Sequence, residues 1–175
     1  MKVTNRPRTR ALRIPIYRPY VWVAGRVRVA VAPQNGACLA SGFGKRWGRL
    51  HKGLDYHGRP APMIHAAAPG VVREATFHQD YGNMVLIDHG HGVFTRYAHL
   101  RSLTKTMAVG RKVSFGTPVG RMGRTAKVKL PLHLHYEILV GKYDNPKKSF
   151  GLRPVNPFRL LARARRPNLS LVSTK

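Results

Sequence analysis

Between residues 38 and 161 the chain never sustains a helical period. Apolar and polar residues instead alternate in short runs separated by glycine-marked turns. The runs are Gly70–Phe77, Met84–Asp88, Val93–His99, Pro118–Met122 and His133–Val140, and they predict an all-β domain built mainly of antiparallel strand pairs. Side chains two apart on a strand share a face. His133 and His135 therefore stand together, while Leu134, Tyr136, Ile138 and Val140 form the alternate, apolar row. The same rule sets His99 on the face of Val93, Thr95 and Tyr97, opposite Phe94, Arg96 and Ala98.

The flanks read differently. Residues 1–37 form a basic N-terminal extension in this reading. Leu12–Ile16 and Arg26–Val31 alternate like short strands, prolines 15, 19 and 33 confine them to sheet edges, and Pro33–Gly36 is a closing turn. Residues 38–161 are the folded domain and 162–175 a basic tail. The length suits one core, and a hydrophobic fraction of 43% argues for a folded chain. No apolar run is long enough to span a membrane. The stretch Tyr20–Gly25 is broken by Arg26 and Arg28 before a signal-peptide core can form.

Thirty-two Lys and Arg stand against 6 Asp and Glu, a formal charge of +26. Such a surface calls for densely anionic partners: nucleic acid, anionic lipid or the acidic polymers of a bacterial envelope. Aromatic residues are not interleaved with the basic runs as in single-strand binders, which argues against nucleic acid. The scarcity of carboxylates makes each one readable. Residues 1–54 contain none, so Asp55 is the first. Asp88, ahead of His89-Gly90-His91-Gly92, organises a turn. Glu137 follows His133 and His135 on one strand face and either orients a ligand or, the favoured reading, pairs with an arginine. Cys38 is the only cysteine, which excludes an intrachain disulfide.

A hydrolytic metal site needs three protein ligands, an open position and acid–base groups nearby. His51, Asp55, His99, His133 and His135 supply that number. Singly each is ordinary: a histidine ending a strand, two surface histidines, a local His–Asp hydrogen bond. His51 and Asp55 can converge on one metal if Gly53 lets the backbone bend. Spacing puts His133 and His135 side by side without saying which would hold the metal. His57, His65, His78, His89 and His91 lack such convergence and read as structural or surface residues.

The segments SGFGKR (41–46), HKGLD (51–55), HAAAPGVV (65–72), YGNMVLIDHGHGVFTRYAHL (81–100), VGRKVSFGTPVGRMGRT (109–125), HLHYE (133–137) and NPFRLL (156–161) occur in order. Together they resemble the lysostaphin-type zinc metalloendopeptidases, which cut the peptide part of peptidoglycan. The resemblance implies a compact antiparallel β fold with the site in a groove on a central sheet. It also implies one Zn²⁺ per chain, with His51, Asp55 and His135 as ligands. His133, matching the first histidine of the family's His-x-His, and His99, matching its Tyr-Ala-His-Leu, would be the catalytic imidazoles. The implied roles are general base for His133 and oxyanion donor for His99, with exchange of the two left open. Peptidoglycan is the implied substrate, at the bacterial cell wall or periplasm. The leader would have been removed, or the protein would be phage-borne or otherwise delivered. The basic ends would add attraction to anionic envelope polymers or lipid. A competing reading, an inactive wall-binding regulator on the same fold, predicts a missing ligand, and all are present.

Overall fold

The computed structural model describes residues 19–144 and 151–160. Fourteen short strands account for almost all of its regular structure. They are β1 (Tyr20–Val23), β2 (Val27–Ala30), β3 (Cys38–Ser41), β4 (Gly44–Arg46), β5 (Arg49–His51), β6 (Leu54–His57) and β7 (Met63–His65). β8 (Gly70–His78), β9 (Gly82–Asp88), β10 (Val93–Leu103), β11 (Lys112–Val113), β12 (Pro118–Met122), β13 (Leu134–Gly141) and β14 (Leu152–Pro154) complete the set. A 3-10 turn, Pro157–Arg159, follows, capped by the Asn156 side chain accepting from the Phe158 amide. The described residues contain no α-helix, and none of their helices is long and apolar enough to cross a membrane. All five strands expected from alternation are present, with boundaries shifted by four residues or fewer.

The main sheet runs β11-β8-β9-β10-β13-β6-β3, with β12 joining β10 to β7 and β14 joining β13. Every pairing is antiparallel. One face of the central strands carries Leu134, Tyr136, Ile138, Tyr97, Val85 and Ile87 into the larger core. The opposite face carries Phe94, Ala98, Leu139, Met84 and Leu86 into a smaller cluster. His135 and Glu137 project from this second face, where apolar packing gives way to polar contacts.

Residues 20–32 are packed more deeply than an extension would be. β1 and β2 form a hairpin in register Tyr20↔Ala30 to Val23↔Val27. Val21, Val23, Val29, Ala30, Val31 and Ala32 are buried in the larger core. Tyr136 and Tyr56 donate their hydroxyls to the carbonyls of Ala30 and Val31, each at 2.8 Å. Pro19 and Pro33 lie just outside the two strands and leave their pairing intact. The strand expected at Leu12–Ile16 and the tail from residue 162 lie outside the described residues.

Candidate metal centre and active site

Three elements bring His51, Asp55 and His135 together. His51 ends β5, Asp55 lies in β6, and strand pairing sets Asp55 directly opposite His135 of β13. Gly53, at the bend between β5 and β6, makes this approach achievable. A Cβ there would lie 2.4 Å from the Tyr136 carbonyl oxygen and 3.0 Å from the His135 ring. The position is glycine because β13 passes too close for a side chain. His51 Nε2, Asp55 Oδ1 and His135 Nδ1 face one another at 2.9–3.1 Å.

The remaining polar atoms of the trio are already engaged. His51 Nδ1–H donates to the Gly42 carbonyl at 2.6 Å, and His135 Nε2–H donates to Glu137 Oε1 at 3.0 Å. Asp55 Oδ2 pairs with the Arg46 guanidinium at 3.1 Å. Two imidazole nitrogens and one carboxylate oxygen, all from buried residues, are thereby left pointing at a common point. That is a donor set a divalent metal such as zinc accepts, with each ligand oriented through its far atom. The charges fit as well. Burial alone would raise the Asp55 carboxyl, but hydrogen bonds from His135 and His51 hold it far below the usual range. Burial alone would lower His135, but Asp55 and Glu137 lift it to about 9. Without a metal, a proton on His135 supplies the positive charge that the site is built to surround.

Behind the trio lies a layer that alternation could not find. Glu137 receives His135 Nε2–H and the Tyr81 hydroxyl (3.2 Å) on one oxygen and Arg96 (2.8 Å) on the other. Arg96 and Glu137 are 1% and 0% exposed, so the pair is a fully buried one. Arg96 also lies over the Tyr81 ring, 4.5 Å from its centre. Burial would raise the Glu137 carboxyl, and these donors instead keep it ionised. Glu137 thus does both things foreseen as alternatives, orienting a ligand and pairing with an arginine. Arg96 was visible only as a face residue of its strand; knowing the register Arg96↔Glu137 would have singled it out.

His99 and His133 complete the constellation, but His99 arrives by an unexpected route. Simple alternation would turn it toward the core beside Tyr97. The pairing of β10 with β9 slips between Tyr97 and Leu100, and that with β12 slips between Leu100 and Ser102. His99 takes a φ of +59° in this bulge, and its ring reaches the groove face, 4.7 Å from His133 and 6.1 Å from His135. Bulges re-aim side chains in this way beside active sites. His99 Nδ1–H donates to the Thr125 carbonyl at 2.9 Å, and His133 Nδ1–H to the Pro131 carbonyl at 2.8 Å. Carbonyls only accept, so each neutral ring carries its proton on Nδ1 and turns a bare Nε2 elsewhere. His133 Nε2 lies 4.0 Å from Asp55 Oδ1. Burial, then the neighbouring imidazoles, depress His99 to about 4.

All five residues line one groove of about 590 Å³, whose lining also includes Arg46, Arg49, Lys52, Tyr81, Lys127 and Leu130. The other described histidines stay out of it. His57 donates to the Leu132 carbonyl, His78 accepts from the Asp80 amide, and His89 bridges the Pro69 carbonyl and the Thr95 hydroxyl. Asp88 accepts from the Gly90 amide, organising the turn as its position suggested.

Known proteins resemble this chain in sequence and fold. The model of peptidase family M23 matches residues 49–149. The peptidoglycan DD-endopeptidase ShyC of Vibrio cholerae is 42% identical over 101 residues, 57% of this chain and 22% of its own length. A zinc containing peptidase from Vibrio cholerae is 28% identical, with a TM-score of 0.56, covering 74% of this chain and 37% of that one. The catalytic domain of lysostaphin from Staphylococcus simulans shares the fold, with a TM-score of 0.58 at 24% identity over 69% of this chain and 89% of that one. The family match spans β5 to β13, the strands that carry His51, Asp55, His99 and His135, and it takes in His133 just ahead of β13. With the candidate metal-binding trio and both flanking imidazoles inside that span, the chain belongs to peptidase family M23, a family of metallopeptidases that includes peptidoglycan endopeptidases.

Proposed function

We propose that this chain is a zinc-dependent endopeptidase that hydrolyses peptide stems or cross-bridges of bacterial peptidoglycan. The observation that carries the reading is the convergence of His51, Asp55 and His135 in one groove with two imidazoles whose Nδ1 protons are tied to carbonyls. The relative named for this activity is matched over only 22% of its length, so the likeness covers a part of that protein alone.

In this reading His51 Nε2, Asp55 Oδ1 and His135 Nδ1 hold one Zn²⁺. The metal supplies Lewis acidity and makes water acidic enough to lose a proton near neutral pH. Arg46 and Glu137 fix the orientation of Asp55 and His135. His133, presenting a bare Nε2, takes a proton from the attacking water and passes it to the leaving amine. His99 is also an acceptor in its neutral form, and burial opposes a second proton on it. We therefore assign it to orienting the attacking water through Nε2 rather than to donating to the developing oxyanion. The walls of the groove, Tyr81 among them, hold the peptide.

The test is digestion of purified peptidoglycan with and without a chelator, followed by zinc add-back. Chelator-sensitive release of fragments with new amines and no new reducing sugars is the expected result. Tight zinc binding with no cleavage of any wall type would overturn it in favour of a binding role.

A further inference from the structure

A second concave site lies away from the groove, built from the N-terminal hairpin and the Asp88–Val93 turn. The hairpin has two faces. Val21, Val23 and Val29 are buried in the core, while Trp22 and Arg28 lie opposite each other on the other face and Tyr20 is half-buried against the core edge. The latter three, with Arg26, His89, His91 and Phe115, line a cavity of about 420 Å³. Its size is that of a small-ligand site. No residue is shared between this lining and that of the catalytic groove. The turn lies at the start of β10, and His99 is six residues further along that strand, roughly 20 Å at about 3.3 Å per residue.

The chemistry of the lining is selective. Tyr20 and Phe115 stand 5.8 Å apart at an angle of 59°, forming a corner of two aromatic faces. The Arg28 guanidinium lies over the Tyr20 ring at 4.8 Å. His89 is fixed at the base through both ring nitrogens. The lining contains no carboxylate, and no described carboxylate forms an ion pair with Arg26 or Arg28. Aromatic faces with a polar rim accept flat, partly apolar rings, and arginine forks match carboxylate oxygens. A sugar ring bearing a carboxylate offers both. Simple polyanions offer only charge, and apolar ligands leave the arginines unanswered.

We infer that this cavity binds the sugar backbone of the wall polymer, with a ring against Tyr20, Trp22 and Phe115 and a carboxylate on Arg26 and Arg28. The inference rests on the proposed function for its choice of polymer. A lactyl carboxylate is free only where no stem peptide is attached, so the hairpin would hold stem-free stretches of glycan while the groove takes peptide from neighbouring units.

The full chain has two tryptophans, Trp22 and Trp47, so a Trp47→Phe variant reports on Trp22 alone. Peptide-free glycan strands with free lactyl carboxylates are titrated into it while Trp22 fluorescence is followed. Saturable change is expected, with affinity reduced about tenfold by Arg28→Gln through loss of one charge-assisted contact. In a pull-down with the same insoluble strands, Trp22→Ala should be retained less than the parent, and unchanged thermal melting would exclude misfolding as the reason. Equal response to dextran sulfate would overturn the inference by reducing the site to charge. So would glycan binding that both variants leave intact. Peptide hydrolysis without glycan binding sinks this inference alone; glycan binding without hydrolysis sinks the proposed function and leaves the site standing.

Discussion

Removing one donor from His51, Asp55 and His135 differs in kind from removing His99 or His133. A ligand such as His135 leaves Asp55 and Glu137 facing each other's charge with no imidazole between them, so His135→Ala should abolish metal content and hydrolysis together. His133→Ala and His99→Ala leave the trio and its carbonyl and arginine partners in place. They should retain metal while losing a factor of about 10²–10⁴ in kcat, the usual worth of a positioned acid–base group. Metal analysis beside kcat measurement separates the two patterns, and a His133→Ala protein of normal activity would refute the assignment. Metal uptake should also depend on pH in a defined sense. The metal-free site holds a proton on His135 up to about pH 9, and that proton must leave when the metal enters. Affinity should therefore rise about tenfold per pH unit as pH increases toward 9, with proton release at neutral pH. Competition against a chromophoric chelator across pH 6–9 measures the slope. His99, neutral down to about pH 4, should not produce an acid limb near pH 6. Asp55 stood out as a candidate because few carboxylates compete with it, and His133 and His135 because they share a strand face; His51 and His99 were singled out by the family resemblance. Arg46, Tyr81 and Arg96 were not legible, since their importance depends on which strand lies beside which.

Alternation located the central strands but failed where a strand breaks its own rule. His99 reaches the groove only because β10 bulges between Tyr97 and Leu100, and no residue type in Tyr-Ala-His-Leu signals the extra step. In the N-terminal hairpin the expected edge strand is present, but the burial of its valines was not legible. Its arginines and prolines suggest an exposed edge, whereas its valines fill one side of the core and its polar residues occupy the other. The consequence is testable by truncation. A chain starting at residue 38 would lose Val21, Val23, Val29 and Val31, all buried. At roughly 1.5–3 kcal/mol for each buried side chain, the loss is comparable to the whole roughly 5–15 kcal/mol that keeps a domain folded. It would also strip the hydroxyls of Tyr56 and Tyr136 of their carbonyl acceptors. The truncated protein should show no cooperative thermal transition by circular dichroism. A sharp melt close to that of the full chain would mean that the hairpin is dispensable.

At the scale of the whole molecule, the charge is unrelated to building the fold. With 32 cations and 6 carboxylates, most basic side chains can have no acidic partner. The described arginine and lysine pairs involve only Arg46, Arg73, Arg96 and Lys142, two of them committed to the metal centre. The remaining positive charge repels itself, a cost to compactness that attraction to an anionic surface offsets. We propose that this surface concentrates the protein on anionic envelope polymers, and the expected signature is a split in salt dependence. The screening length shrinks from about 10 Å at 0.1 M to about 3 Å at 1 M salt. Attraction to an extended wall acts over longer distances than that, whereas chemistry inside the groove acts at contact. Over this range, cleavage of intact sacculi should therefore fall steeply, while kcat on a short soluble cross-linked peptide stays nearly constant. Parallel assays of the two substrates at matched salt decide it, and equal salt response of both would show that the charge plays no part in targeting.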